Sequence, residues 1–170
     1  MYAAISKILN NFLKQHVIFK YGFNISPMYR RSTGKIIEVS DDLLDVKVKI
    51  PISYKNKNYV GSIFGGSLFS ATDPIFMIQL MNILGNDYVV WDKSASIKFK
   101  RPAKENSYVD FIFTEDEIEQ VKERVVREKE IDLIKNIKIT NKDTSTVYAE
   151  VSKTIYIADK IHYKNKRKKK

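Results

Sequence analysis

From residue 58 to residue 86 the chain carries one formal charge, the carboxylate of Asp73, in a run otherwise made of apolar, small and neutral polar residues. Set on a helical wheel, its hydrophobic side chains fall on nearly every side. A helix that is apolar all round must be covered all round or lie in a bilayer. Asp73, Pro74, Gln79 and Asn82 interrupt the run, and its flanks read as half-buried strands, so the expectation is a central helix wrapped by a sheet, with no membrane span. Burying an unpaired carboxylate is costly, so Asp73 needs a partner, a pocket or a cap. It is the first place to look for chemistry.

A chain of 170 residues, 44% hydrophobic and 12% aromatic, can close one core, and we expect a single domain over 1–159. There is no Cys, hence no disulfide framework, thiolate nucleophile or Cys-bound zinc, and the N-terminus lacks the order of a secretory signal. The expected compartment is the cytoplasm. The formal charge of +10 invites a nucleic-acid reading, but seven of its cations lie in residues 160–170, which contain no acid. That leaves a nearly balanced body followed by a basic tail expected to be disordered. Such a tail attracts nucleic acid or another anionic surface loosely and in a salt-dependent way, which makes specific nucleic-acid binding the lesser alternative.

Hydrophobic period gives the order of elements. Ile5, Ile8, Leu9, Phe12, Leu13 and Val17 recur at helical spacing, a leading helix that Gly22 and Pro27 are expected to end. Leu44, Val46, Val48, Ile50 and Ile52 then alternate with charged residues. They form a strand preceded by another near 35–39, with Ser40, Asp41 and Asp42 turning between them. After Gly85 the two-residue period returns at Ala95, Ile97 and Phe99 and again at Val109, Phe111 and Phe113. Further strands are expected near 131–140 and 147–157. Between these pairs, Thr114 and Glu117 form a capping-box signal ahead of Ile118, Val121 and Val125, predicting a short amphipathic helix. The fold class is α+β, an antiparallel sheet curled around one helix.

If Gly65 and Gly66 open the helix that carries Asp73, their amides sit at the positive end of its dipole and suit a developing oxyanion. Asp73, two turns on, then projects from roughly the same face and can act as nucleophile or base. Each feature also has a plainer reading. Thr72, Asp73 and Pro74 look like an N-cap and first turn, or a kink; a Gly pair is a common turn; Asn58 is more often a turn residue than a polar clamp. His16 and His162 are the only imidazoles and lie far apart in sequence, so no metal site or triad is expected.

The run from Asn58 through Gly61, Phe64, Gly65, Gly66 and Thr72 to Asp73 and Pro74 resembles the active-site motif of the hotdog-fold thioesterases, especially the phenylacetyl-CoA type and a related uncharacterised hotdog group. In those families an Asn precedes a Gly, a His-Gly-Gly turn opens the central helix, and an Asp follows on it. Lys98, Phe99, Lys100, Arg101 and Pro102 resemble the strand end that comes after this helix, so the similarity spans roughly residues 30–157. It implies a curved antiparallel sheet around a long central helix. It also implies hydrolysis of an acyl-CoA or other acyl thioester without a cofactor, Asp73 being the catalytic carboxylate. Gly65 and Gly66 would then polarise the carbonyl and Asn58 would lie near the attacking water. Phe64, Lys100 and Arg101 are the candidate ligand contacts, although Lys98, Lys100 and Arg101 read more often as a solvated strand face.

The resemblance further implies a homodimer or dimer of dimers, with each site shared by two subunits and their sheets joined edge to edge. The departure is Phe64, a ring without donor or acceptor where catalytic members usually have His. A backbone oxyanion hole survives that change. The alternative it opens is a module that binds an acyl ligand without turnover.

Overall fold

The structure, a computed structural model, describes residues 14–168. Helices α1 (Gln15–Ile25) and α2 (Pro27–Arg31) precede the hairpin β1 (Lys35–Val39) and β2 (Asp45–Ile50). Next come α3 (Gly65–Ser70), α4 (Ile75–Leu84), β3 (Tyr88–Phe99), β4 (Ser107–Ile112) and α5 (Glu115–Glu128), and then β5 (Glu130–Thr140), β6 (Val147–Asp159) and α6 (Lys160–Lys168). The six strands make one antiparallel sheet in the order β1-β2-β4-β5-β6-β3. This is the α+β sheet-around-helix arrangement that the hydrophobic periods imply.

Why α4 sits inside follows from its faces. Ile75, Phe76 and Leu80 are fully buried, and the Phe76 ring stands edge-on to Phe111 and Phe113 at 4.9 and 5.2 Å. Such contacts contribute beyond the area they bury. The facing sheet supplies Val48, Ile50, Val109, Ile139, Ile155 and Ile157, the inward members of alternating strands. Gln79, also fully buried, donates through Nε2 to the carbonyls of Leu43, Leu44 and Phe111 and so pins the helix to the ends of β2 and β4.

Three expectations change. The apolar stripe at Ile5, Ile8, Leu9, Phe12 and Leu13 lies outside the described residues, and Gly22 does not end the helix that Val17 belongs to. That helix runs through Gly22 to Ile25, because Phe23, one position on, stacks on buried Phe19 and meets the edge of buried Tyr29. Tertiary packing outweighs the roughly 1 kcal/mol a glycine costs a helix. Second, the central helix is broken. α3 ends at Ser70, and α4 starts only at Ile75 after a turn in which Thr72 Oγ1 donates to the carbonyl of Phe69. Pro74 has no N–H to continue the ladder. By length and composition alone the stretch Gly65–Leu84 would pass for a membrane span. Third, residues 160–168, expected to be disordered, form α6, whose Lys166 pairs with Glu130 at 2.6 Å.

The capping box is present as read. Thr114 Oγ1 accepts from the Glu117 amide, the Glu117 carboxylate accepts from the Thr114 amide, and Ile118, Val121 and Val125 are the buried face of α5. Strand β3, third in the chain, ends up at the open edge of the sheet beside β6, with Trp91 and Phe99 each 54% exposed.

Candidate functional site

Asp73 occupies the turn between α3 and α4, held there by its amide bonding to the Ser70 carbonyl. Its side chain caps nothing, since α4 begins without a side-chain cap. It reaches instead to Lys153 on β6, whose Nζ donates to Asp73 Oδ1 and, at 3.2 Å, to Asp92 Oδ2 on β3. Lys153 is 1% exposed while the Asp73 side chain is 57% exposed, so the pair runs from the core to the surface. Partial burial works to raise the Asp73 carboxyl but is outweighed by the hydrogen bond and charge of Lys153, with the neighbouring Asp92 carboxyl adding to the fall, and together these hold it below the usual carboxylate range. Asp92 moves the other way. Burial pushes it up, Lys153 offsets part of that, and the neighbouring Asp73 carboxylate adds to the rise. Its Oδ1 is buried with no partner among the described residues.

Two carboxylates on one ammonium are thus pushed in opposite directions, Asp73 down and Asp92 up. An ionised, exposed carboxylate is competent as a base or nucleophile.

Gly65 and Gly66 are the first two residues of α3, and neither amide has a backbone partner among the described residues; the following amides of Ser67 and Leu68 return to the Phe64 carbonyl. Both glycines are tightly faced by rings. A Cβ on Gly65 would lie 2.7 Å from Phe99 Cζ, and one on Gly66 would lie 2.3 Å from Phe64 Cε1. Phe64 is 58% exposed and folds over Gly66, so the residue in the place of the usual His is a cover for the helix start.

Gly65, Phe99, Lys100 and Arg101 line one open groove of about 440 Å³ together with Leu68 and Ile63. Its cationic rim is partly engaged, because Lys100 Nζ pairs with Glu150 at 2.9 Å. Asp73, Gly66, Asn58 and Phe64 do not line this groove. Asn58 closes its own turn: Oδ1 accepts from the amides of Val60 and Ser62, and Nδ2 donates to Ser62 Oγ. Within one chain the structure therefore brings together Gly65, Lys100 and Arg101, and separately Asp73, Lys153 and Asp92.

Sequence reasoning did not single out Lys153 or Asp92. A signal was there. On β6, Ala149, Val151, Ile155 and Ile157 are buried, and Lys153 falls on the same alternate positions. A cation at an inward position of a strand calls for a carboxylate partner.

The architecture, one antiparallel sheet wrapped around a central helix, is a hotdog fold. A Pseudomonas aeruginosa protein of unknown function, described as a probable thioesterase, superposes with a TM-score of 0.73 at 17% identity, covering 84% of this chain and 95% of that one. A thioesterase from Haemophilus influenzae gives 0.60 at 10% identity, covering 85% and 91%, and zebrafish thioesterase superfamily member 2 gives 0.54 at 17%, covering 83% and 94%. No curated protein matches the sequence. Residues 15–157 match the family described as "Domain of unknown function (DUF4442)", and the chain belongs to it.

Proposed function

We propose that the protein hydrolyses an acyl thioester, carried on coenzyme A or another thiol carrier, with Asp73 as base or nucleophile and the Gly65 and Gly66 amides as the oxyanion site. The observation that carries this reading is the state of Asp73, a carboxylate held ionised by a buried lysine yet more than half exposed, in a turn that follows a helix start with two free amides. The thioesterase-like fold of the solved relatives adds to it. Negative charge developing on the carbonyl oxygen would be met by fixed N–H dipoles. Either a water deprotonated by the carboxylate attacks the carbonyl carbon, the C–S bond breaks and the thiolate leaves with the proton returned from Asp73, or the carboxylate attacks directly, expels the thiolate and forms an acyl-aspartyl anhydride that water then hydrolyses.

Because Asp73 and the groove at Gly65 lie apart in one chain, the reading includes a homodimer whose site combines the groove of one subunit with the carboxylate of the other. The open β3 edge, exposing Trp91 and Phe99, is the surface that would pair. Lys100 and Arg101 then serve as phosphate contacts at the groove rim. The deciding experiment is steady-state hydrolysis of a panel of acyl-CoAs by wild type and Asp73→Ala. A loss of about 10²-fold or more supports the assignment, and equal rates remove Asp73 from the mechanism.

One observation favours a second reading, binding without turnover: the Phe64 ring lies over Gly66 and occupies space in front of the helix start. On that reading acyl-CoA associates but no free thiol appears, and Phe64→His yields hydrolysis where the wild type has none.

A further inference from the structure

Lys153 lies at an inward position of β6, with buried Val151 and Ile155 two residues to either side. A buried ammonium is stable only where charge and hydrogen bonds replace its water, and here Asp73 Oδ1 and Asp92 Oδ2 do so. The register partner of Lys153 on β5 is Lys135, a second lysine on the same face of the sheet. It turns away, to Glu117 at 2.7 Å and over the Phe113 ring at 4.6 Å, leaving Lys153 to its own two carboxylates. α3, α4 and the turn joining them hold no titratable group except Asp73, so the charges acting on Asp73 come from β6 and β3.

The two oxygens of Asp73 are thereby made unequal. Oδ1 is committed to Lys153, whereas Oδ2 makes no hydrogen bond among the described residues and belongs to a side chain open to solvent.

We infer that Lys153 and Asp92 are the positioning residues of Asp73: Lys153 fixes Oδ1 so that Oδ2 is the oxygen presented to a water or carbonyl carbon, and Asp92 fixes Lys153 from behind. The inference rests on Asp73 being the reacting carboxylate. Asp92 touches no reacting atom in this scheme; it holds the ammonium in place on its other side. A β-bulge between Asp92 and Ser94 is where β3 shifts register against β6, next to Ile155. Asp92 is thus set at a local distortion of the edge strand while its Oδ2 faces Lys153.

A purely structural ion pair would move the Asp73 midpoint alone, whereas a positioning pair moves the acidic limb of kcat/KM and kcat along with it. The test is ¹³C-carboxyl NMR titration of Asp73, alongside the pH profile of kcat/KM on acyl-CoA, in wild type, Lys153→Met, Asp92→Asn and the double variant Lys153→Met/Asp92→Asn. The double variant removes a cation and an anion together and keeps the test available should Lys153→Met fail to fold. We expect the Asp73 midpoint to rise by a pH unit or more in Lys153→Met, in line with the one to three units an adjacent opposite charge supplies.

In Asp92→Asn, where the dominant partner Lys153 remains, the midpoint should move far less than in Lys153→Met. The acidic limb of kcat/KM should follow the same order, with kcat at neutral pH down about tenfold or more in Lys153→Met while KM changes little. An unmoved Asp73 midpoint in both Lys153→Met and the double variant overturns the inference whatever the activity. A moved midpoint in a wild-type background that cleaves no thioester overturns the proposed function and leaves the ionic assignment standing.

Discussion

The ammonium of Lys153, sealed in the middle of β6, meets the carboxylate of Asp73, eighty positions earlier in the chain, at the break in the central helix. The contact ties the one charge of the apolar run to the far strand of the fold. It determines both how the core tolerates a lysine and why a carboxylate at this turn stays ionised.

Removing that lysine should be costly at neutral pH. Lys153→Met leaves Asp92 and Asp73 without their cation, and breaking a buried pair typically costs about 3–5 kcal/mol, with the exposed side of Asp73 placing this one near the lower figure. Urea unfolding at pH 7 measures it. A loss below 1 kcal/mol would show that water reaches Lys153 freely.

The pH dependence of stability has a definite sign. Asp73 is depressed when folded, so its contribution is present above the unfolded value of about 3.9 and is lost as pH falls through its folded value. Asp92 is raised, so its contribution is present below about 3.9 and is lost as pH rises through its folded value. In Lys153→Met both carboxyls titrate high, and the stability gap to wild type should narrow steadily from pH 7 to pH 4. Denaturation midpoints across that range check this; a gap that widens toward acid contradicts it.

Gly65→Ala should spare the fold and harm the groove. Alanine favours a helix over glycine by roughly 1 kcal/mol, and the clash at 2.7 Å falls on a half-exposed Phe99 ring able to swing away. The expected result is an unchanged or slightly raised Tm with weaker acyl-CoA binding by calorimetry. A fall in Tm of several degrees would mean that the ring is pinned.

Edge pairing of β3 is open to a charge test. Ser96 is exposed in mid-strand on the sheet edge, opposite Ser152 and not Lys153, and Ser96→Lys places a cation where a second edge would dock. Light scattering should show a dimer for wild type and a monomer for the variant, with hydrolysis lost in parallel if the site spans two subunits. A variant that stays dimeric moves the interface elsewhere.

Much of the architecture was legible because the periods are strong. The alternation of Val46, Val48 and Ile50 gave β2, and Thr114 with Glu117 gave the start of α5. The break after Ser70 was less legible, since the apolar run reads through it and only Pro74 marks it. The site divided along the same line. Asp73 stood out as a lone charge in an apolar run, a local property. Lys153 stood in a strand of mixed side chains, where nothing but its inward register made it unusual.

What the chain settled alone was the set of faces: which helix must be enclosed, which strands are half-buried, and which acid stands alone in an apolar run. Those follow from side-chain polarity at fixed spacing, and each is local. The partner of that acid, the unequal duties of its two oxygens, and the distance between Asp73 and the groove at Gly65 depend on β6 and β3 lying side by side at the end of the sheet. Strand order is a property of the whole chain's packing, and no window of sequence contains it.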